Sequence, residues 1–209
     1  MKGINLLTGL MLIIFPVLAA GDDIDISDLY KKYRVEGALV IASLDGDVEY
    51  VHNSVRAERR YLPASTFKIP NTLIALEEGA IKDDKEVIKW DGSDKGWSSW
   101  NKDQTLKTAF SVSCVWCYQK FAKHIGNERY IQYLNNLNYG NKKTGKNVTS
   151  FWLEGELGIS AKEKIDFLRK IYLENLPFKR KNFILLKKIM IVEETQTFSL
   201  QAKQVGIIV

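Results

Sequence analysis

The sequence predicts a single α+β domain, because an extended segment comes first, helical segments follow, and a strand returns near the C-terminus. At 209 residues the chain is long enough for one medium-sized domain with a substantial core. Hydrophobic residues make up 45% and charged residues 26% of the chain, and both fractions are ordinary for a globular protein. No repeat, low-complexity tract or linker interrupts the sequence, so residues 21–209 are expected to form one domain.

The first twenty residues differ from the rest of the chain. Lys2 is followed by an apolar stretch that ends with the small residues Ala19 and Ala20, a pattern typical of a secretory signal peptide. The stretch is short for a membrane-spanning helix, and no cysteine follows it as a lipid anchor requires. We therefore expect residues 1–20 to be cleaved, and the product to be periplasmic without membrane attachment.

Residues 37–51 have the pattern of a β-hairpin. The first arm is a continuous apolar run, the second alternates, and Asp45-Gly46 between them is a favoured tight turn. A helix-like run follows at 72–79. The polar stretch 81–96 is expected to be mostly loop.

The second half of the chain is mainly helical in pattern. Ser160 and Glu163 form a capping box, apolar residues recur behind them at helical spacing, and Pro177 is expected to close that helix. We expect three further helices before it, at 104–110, 115–125 and 127–136, and after it a helix or helix end at 182–192 and a strand at 197–202.

The charge distribution does not indicate a nucleic-acid partner. The 30 basic and 25 acidic residues leave a net charge of +5. The clearest basic cluster, residues 179–181 with Lys187 and Lys188, is not accompanied by a stripe of alternating basic and aromatic residues, so we interpret it as a solvated loop and helix face.

Cys114 and Cys117 are the only cysteines of the chain. A Cys-x-x-Cys pair is typical of a redox site or of half a zinc site. No second pair exists, and His52 and His124 lack metal-type spacing, so we expect no metal site. Two buried, packed thiols are the preferred interpretation, and a strained disulfide formed in an oxidising compartment is the alternative.

Ser65 and Lys68 are the main candidates for catalysis. At positions i and i+3 of a helix their side chains share one face, with Cβ atoms about 5–6 Å apart. A serine becomes a nucleophile when a neighbouring base takes its proton, and a lysine is such a base only if its pKa falls. Apolar neighbours such as Phe67 and Ile69 would supply the necessary desolvation. Alone, the pattern favours a helix start with a solvated lysine, because Ser and Lys are common residues.

Three further motifs follow in order, at 113–115 (Ser-Cys-Val), 139–141 (Tyr-Gly-Asn) and 151–155 (Phe-Trp-Leu-Glu-Gly). Together with Pro-Ala-Ser-Thr-Phe-Lys at 63–68, they resemble the class D (oxacillinase-type) serine β-lactamases, and the resemblance extends from about Gly37 to Lys203. It implies the serine β-lactamase/penicillin-binding transpeptidase-like fold. In that fold an antiparallel sheet, built from N- and C-terminal strands, packs against a helical block.

The resemblance also implies catalytic roles. Ser65 would be the nucleophile that forms an acyl ester with a β-lactam, and Lys68 would react with carbon dioxide to become N6-carboxylysine, the general base. Ser113 would relay a proton to the departing ring nitrogen, and Trp152 would donate its indole N–H to the carbamate. Class A enzymes use Ser-Asp-Asn and a glutamate instead, and this chain has Ser-Cys-Val. No cofactor beyond carbon dioxide or bicarbonate is expected.

Substrate binding is assigned to four residues by the same resemblance. Val115 would cover the lysine with apolar surface, Tyr139 and Asn141 would shape the wall of the cleft, and Lys203 would help to bind the substrate carboxylate. The expected partner is a small β-lactam. The sequence indicates nothing about oligomeric state.

The last motif of the family, Lys-Thr/Ser-Gly, is broken in this chain. Lys203 is followed by Gln204 and Val205, whereas the intact tripeptide at 143–145 falls in an expected loop and is taken as a chance match. Lys-Gln-Val-Gly can be encoded as AAA CAG GTT GGN, and one restored A gives AAA ACA GGT TGG, or Lys-Thr-Gly-Trp. We therefore expect a frame shift, with the final strands and C-terminal helix of the family missing.

Hydrolysis of the β-lactam ring of penicillin-type antibiotics, an antibiotic-resistance activity, is the function that the sequence predicts. One alternative is a penicillin-binding sensor-like domain that acylates without turnover. Another is an inactive, truncated remnant.

Overall fold

A computed structural model describes residues 26–195, 197 and 199–203. The chain divides into two units, residues 1–36 and 37–209. In the first unit the described part contains helix α1 (Ile26–Tyr33), none of whose residues is buried. The predicted signal peptide lies outside the described residues. Among the helices that are described, none is both long and apolar enough to cross a membrane.

The predicted hairpin is confirmed in the second unit. Strands β1 (Leu39–Ala42) and β2 (Glu49–His52) pair antiparallel. The turn is wider than the predicted two-residue turn, because pairing stops at the ends of these strands and residues 43–48 connect them. Ser43 holds the wider turn, since its hydroxyl donates to Asp45 Oδ1 at 2.5 Å and accepts from the backbone N–H of Val48 at 3.0 Å.

The remaining strands are short and pair with close neighbours in sequence. They are β3 (Val87–Ile88), β4 (Gln104–Thr105), β5 (Ile191–Glu194) and β6 (Ser199–Gln201). We expected the N- and C-terminal strands to share one sheet, but within the described residues the strands form three separate antiparallel pairs, β1–β2, β3–β4 and β5–β6. Residues 191 and 192, expected in a helix, belong to β5: Ile191 pairs with Gln201 of β6, and Val192 lies at an irregularity in the pairing.

The helices other than α2, which the sequence patterns did not predict, agree with those patterns, with adjusted ends. They are α2 (Ser54–Glu58), α3 (Lys68–Glu77), α4 (Leu106–Ser111), α5 (Val115–Ile125), α6 (Asn127–Asn136), α7 (Ala161–Tyr172) and α8 (Arg180–Met190). Helices α5 and α6 have the predicted bounds. Helix α4 begins late because Thr105 is its N-cap, and α7 ends at Tyr172, well before Pro177. The predicted capping box of α7 is present, since Ser160 and Glu163 each accept from the other's backbone N–H.

Helix α3 lies at the centre of the helical block. Its residues 68–76 are all buried, and it packs against both α5 and α8. A helix that is enclosed on every side needs apolar residues all round, and α3 has them except at Lys68, Asn71 and Thr72. The fold therefore buries the amine of Lys68, the first residue of α3.

The loop between α6 and α7 is closed by the Tyr-Gly-Asn motif. The Asn141 side chain accepts from the backbone N–H of Gly158 at 3.0 Å and of Lys143 at 3.2 Å, and it donates to the Glu156 carbonyl at 2.7 Å. Gly140 has a φ of +53°, and a Cβ on it would stand 2.0 Å from the Gly158 carbonyl oxygen. Glycine is thus required here by both backbone angle and space.

We predict that Gly140→Ala lowers the free energy of unfolding by roughly 3 kcal/mol or more, because the backbone of residue 158 must move. Gly92→Ala is the matched control. Gly92 also has a positive φ, +80°, but nothing lies within 4 Å of its added Cβ. We therefore expect Gly92→Ala to lower the free energy of unfolding by about 1–2 kcal/mol, from the backbone angle alone. Urea unfolding of both variants measures the difference. Equal losses would contradict the assigned clash.

Candidate active site

Ser65 lies in a 3₁₀ turn, Ala64–Phe67, that leads directly into α3. We expected the serine at the start of the helix itself, and the turn displaces it just ahead of that start. Ala64 has a φ of 46°, which is unfavourable for a residue with a Cβ. This backbone is held by a hydrogen bond from the Ala64 N–H to the Trp152 carbonyl at 2.9 Å. Strained backbone of this kind clusters at functional sites, which supports Ser65 as a reactive residue.

The Ser65 hydroxyl and the Lys68 amine are in contact, as their spacing predicts. Lys68 Nζ donates to Ser65 Oγ at 3.2 Å. Lys68 is 1% exposed, and this burial, with a smaller contribution from the nearby charge of Lys203, lowers its pKa to about 7. A large fraction of the amine is therefore neutral near neutral pH. The arrangement can remove a proton from the serine, which a solvated lysine cannot do.

An aromatic cluster lies beneath the turn that carries Ser65. The ring of Phe67 stacks on Trp152, with centroids 5.7 Å apart, and meets the edges of Phe151 at 5.1 Å and Tyr139 at 5.7 Å. All four side chains are at most 1% exposed. These rings pack around Phe67, the residue before Lys68, and so exclude water from the base of the site.

Ser113 occupies an unusual backbone position at the end of α4. Its N–H donates to the Phe110 carbonyl, and the Cys114 N–H donates to the Ala109 carbonyl, which together form a Schellman motif. The residue in the left-handed conformation of this motif is ordinarily glycine, but here it is Ser113, with a φ of 55°. The motif fixes the direction of the Ser113 side chain.

A disulfide joins Cys114 to Cys117, with Cα atoms 5.5 Å apart, so the preferred interpretation of two free thiols was wrong. Cys114 is the N-cap of α5 and Cys117 lies in its first turn, and this geometry brings the two side chains within bonding range. Both residues are fully buried. The cross-link therefore fixes the backbone immediately after Ser113.

Lys203 is distant from Ser113 in sequence but contacts it in the structure. It follows β6, and its Nζ donates to Ser113 Oγ at 2.5 Å while lying 5.3 Å from the centroid of the Phe110 ring. Burial lowers the pKa of Lys203 as well. The structure thus places Lys203 beside Ser113, and its role in binding the substrate carboxylate stays a prediction. Gln204 and Val205 lie outside the described residues. Lys143-Thr144-Gly145 lies in the α6–α7 loop, where Lys143 faces Glu156 at 4.0 Å.

Trp152 contributes a buried hydrogen-bond donor to this region. Its indole N–H has no hydrogen-bond partner within the described part of the chain, although the residue is fully buried. Its ring stacks on Phe67, next to Lys68 in sequence. A buried donor without a partner costs free energy. The indole N–H of Trp152 therefore indicates that an acceptor group binds beside it.

The structure does not support a cleft-wall position for Tyr139 or Asn141. Tyr139 is 1% exposed, with its ring against Phe67 and Phe167, because the loop turns it into the core. The Asn141 side chain is occupied in closing its own loop. Val115 is half-buried as the first residue of α5, and its contact with the lysine stays a prediction.

Sequence reasoning missed two residues, one beside Lys68 and one that contacts the turn carrying Ser65. The first is Tyr118, whose ring centroid lies 5.4 Å from Lys68 Nζ and whose hydroxyl bonds to Thr72 at 2.8 Å. Tyr118 lies one turn after Val115 and Thr72 one turn after Lys68, so helical spacing from known site residues could have identified both. The second is Lys164, whose Nζ donates to Thr66 at 2.7 Å. No sequence signal marks it, because helix α7 is distant along the chain.

Comparison with known proteins decides between the families that could share this geometry. The model of the penicillin binding protein transpeptidase domain matches residues 32–208. The class D β-lactamase YbXI from Nostoc has a TM-score of 0.81 at 38% identity, over 83% of this chain and 74% of that chain. FUS-1 (OXA-85), a class D β-lactamase from Fusobacterium nucleatum subsp. polymorphum, has a TM-score of 0.82 at 41% identity, over 85% and 74%.

The chain belongs to the class D β-lactamase family. Among curated class D relatives, β-lactamase OXA-20 of Pseudomonas aeruginosa is 42% identical over 176 residues, and β-lactamase OXA-48 of Klebsiella pneumoniae is 40% identical over 174. Each alignment covers 83% of this chain, but it spans only 66% of OXA-20 and 66% of OXA-48. The resemblance identified from the four motifs, and the transpeptidase-like fold that it implied, are confirmed.

The burial of Lys68 predicts a pH-dependent stability effect. Below pH 7 the folded protein bears the full cost of a buried ammonium. Between about pH 7 and the ordinary value of 10.5, only the unfolded chain keeps the proton, so wild-type stability rises with pH. Lys68→Met should therefore stabilise the protein most below pH 7, with a gain that shrinks towards pH 10.5.

Thermal unfolding at pH 6, 8 and 10 measures this gain. Lys102→Met, at an exposed lysine, is the control and should change the midpoint little at each pH. A Lys68→Met gain that stayed constant from pH 6 to pH 10 would show that Lys68 is not the titrating group.

Proposed function

We propose that this protein hydrolyses the β-lactam ring of penicillin-type antibiotics through an ester on Ser65, and so confers antibiotic resistance. The single observation that carries the proposal is the contact between the Ser65 hydroxyl and a buried Lys68 amine whose pKa is lowered to about 7. Membership of the class D family supports the choice of substrate, because the relatives are named β-lactamases.

In the proposed acylation step, Ser65 Oγ attacks the carbonyl carbon of the ring as its proton leaves towards the Lys68 side chain. The ring C–N bond then breaks, its nitrogen takes a proton from the Ser113 hydroxyl, and Ser113 regains a proton from the Lys68 side chain, which had accepted the one from Ser65. Lys203 donates to Ser113 Oγ at 2.5 Å, so a cation stabilises the serine oxygen as its proton departs. The Ser65 N–H, at the start of the turn, is the proposed donor to the developing oxyanion.

Release of the product restores the serine. A water molecule adds to the ester carbonyl, the bond to Ser65 Oγ breaks, and the proton of that water returns to Ser65 as the penicilloate-type acid leaves. The water needs a base, as the serine did. The same Lys68 side chain serves both steps, because its Nζ lies within hydrogen-bond distance of Ser65 Oγ, at 3.2 Å.

Three observations support carboxylation of Lys68. Only a neutral amine adds carbon dioxide, and burial favours the neutral amine. Lys203, whose charge disfavours an ammonium at residue 68, would favour an anion there. The indole N–H of Trp152 is a buried donor in need of an acceptor. When formed, the carbamate supplies an anionic base in place of the amine, held by Trp152.

Export to the periplasm is part of the proposal. The N-terminal twenty residues have the pattern of a signal peptide. The Cys114–Cys117 disulfide fits an oxidising compartment.

The test is penicillin hydrolysis by the full chain, expressed with export and assayed in bicarbonate buffer, with Ser65→Ala as control. We expect turnover that the substitution abolishes, and a mass that reports cleavage near Ala20. A stable penicillin ester without turnover would favour a penicillin-binding sensor-like domain. Absence of any ester on a folded protein would contradict the proposal.

Trp152→Phe should raise the bicarbonate concentration needed for half-maximal turnover by about tenfold or more. The reason is that a hydrogen bond to a charged group contributes about 1.5–3 kcal/mol. Incorporation of ¹³C-bicarbonate, followed by carbon NMR of the carbamate, reads the same change without substrate. Trp97→Phe, at an exposed tryptophan, is the control. An unchanged carbamate signal in Trp152→Phe would remove Trp152 from this role.

A further inference from the structure

Lys164 lies in the first turns of α7 and points its amine at the turn that carries the nucleophile. Its Nζ is 2.7 Å from Thr66 Oγ1 and 2.7 Å from the Tyr139 hydroxyl. Thr66 directly follows Ser65. Lys164 therefore makes a side-chain link from α7 to the residue beside the reactive hydroxyl.

The Thr66 hydroxyl extends this link across the turn. It accepts from Lys164 and donates to the Pro63 carbonyl at 2.5 Å, while the Thr66 N–H donates to the same carbonyl at 3.0 Å. Pro63 and Thr66 flank Ala64, the residue with positive φ. The chain of contacts from Lys164 to Pro63 thus spans the strained backbone that orients Ser65.

Docking of α7 onto this region does not need Lys164. Arg60 binds Glu163 of α7 through Nε, 3.0 Å from both carboxylate oxygens, and Nη2, 2.5 Å from one of them. Tyr61 and Ile159 exchange backbone hydrogen bonds just before α7 begins. These contacts fasten the helix to the segment before the turn. The link through Lys164 is the one that reaches the turn itself.

The position of Lys164 is energetically unfavourable, which argues against a purely stabilising side chain. Burial lowers its pKa to about 7, and among the described residues no anionic partner opposes that effect. A methionine of similar length would fill the space at no such cost. Both hydrogen bonds of Lys164 go to hydroxyl groups, and its Nζ also lies 5.1 Å from the centroid of the Tyr139 ring, so the amine acts through directed contacts.

We propose that Lys164 is a positioning residue that holds Thr66, and through it orients the Ser65 hydroxyl for attack. This inference rests on the proposed acylation of Ser65. Lys164 touches neither substrate nor reacting atoms. Its effect should appear in the rate of ester formation rather than in the hydrolysis of the ester, because the turn positions the hydroxyl before the bond forms.

The test compares three variants of the full chain. Lys164→Met removes the hydrogen bonds at similar length, and Lys164→Gln keeps an N–H donor. Lys162→Met is the matched control on the same helix, where Lys162 pairs with Glu58 at 3.3 Å. The first-order accumulation of penicillin ester at Ser65, followed by mass spectrometry, should fall about tenfold in Lys164→Met, stay within about threefold of wild type in Lys164→Gln, and be unchanged in Lys162→Met.

Thermal unfolding separates positioning from simple stabilisation. If Lys164→Met lowers the melting temperature while its folded fraction acylates at the wild-type rate, the inference is overturned. Should that variant fail to fold, Thr66→Val breaks the same link from its other end. It must then show the slow acylation, and a normal rate would overturn the inference equally.

Amide hydrogen exchange keeps this test independent of the proposed function. Exchange in residues 63–68 should be several-fold faster in Lys164→Met than in wild type and should be restored in Lys164→Gln. If wild type forms no penicillin ester, the proposed function fails, but the exchange result still decides the role of Lys164. Unchanged exchange at 63–68 would exclude it.

Discussion

The exclusion of water from the Lys68 amine is the constraint on which the rest of the site depends. Helix α3 is enclosed along most of its length, so its first residue enters the interior with it. The resulting fall of the pKa to about 7 turns an ordinary cation into a group that can take a proton from Ser65. The same burial makes addition of carbon dioxide chemically reasonable. Fold and chemistry are therefore linked through one desolvated nitrogen.

Two strained positions lie in the segments that carry Ser65 and Ser113. Ala64 and Ser113 both adopt positive φ although neither is glycine, and each precedes or carries a hydroxyl that is proposed to react. The surroundings hold each of them in place: the Trp152 carbonyl binds the Ala64 N–H, and a Schellman motif followed by a disulfide encloses Ser113. Strain that is held by neighbouring contacts gives a pre-organised site, at a cost to stability of about 1–3 kcal/mol for each such residue.

The sequence was sufficient to predict the helices and the reactive pair, because both follow from short-range spacing. It predicted α5 and α6 with their observed bounds, and the Ser65–Lys68 contact from a separation of three residues. Features that depend on contacts distant in sequence were not predictable. Lys164 reaches Thr66 across 98 positions, and the burial of Tyr139 depends on how its loop folds back. The free thiols at 114 and 117 were wrongly preferred because composition does not reveal the geometry of a helix start.

The disulfide shapes the site, and its formation depends on where the chain folds. Cys114 and Cys117 are fully buried in the folded protein, so oxidant has access to them mainly before the chain closes around them. A chain that folds in a reducing cytosol and one that folds after export therefore differ in the backbone that follows Ser113. The compartment in which the protein first folds therefore determines whether a covalent bond forms one residue away from Ser113, the proposed proton relay. Protein prepared by the two routes should be compared as two distinct molecules.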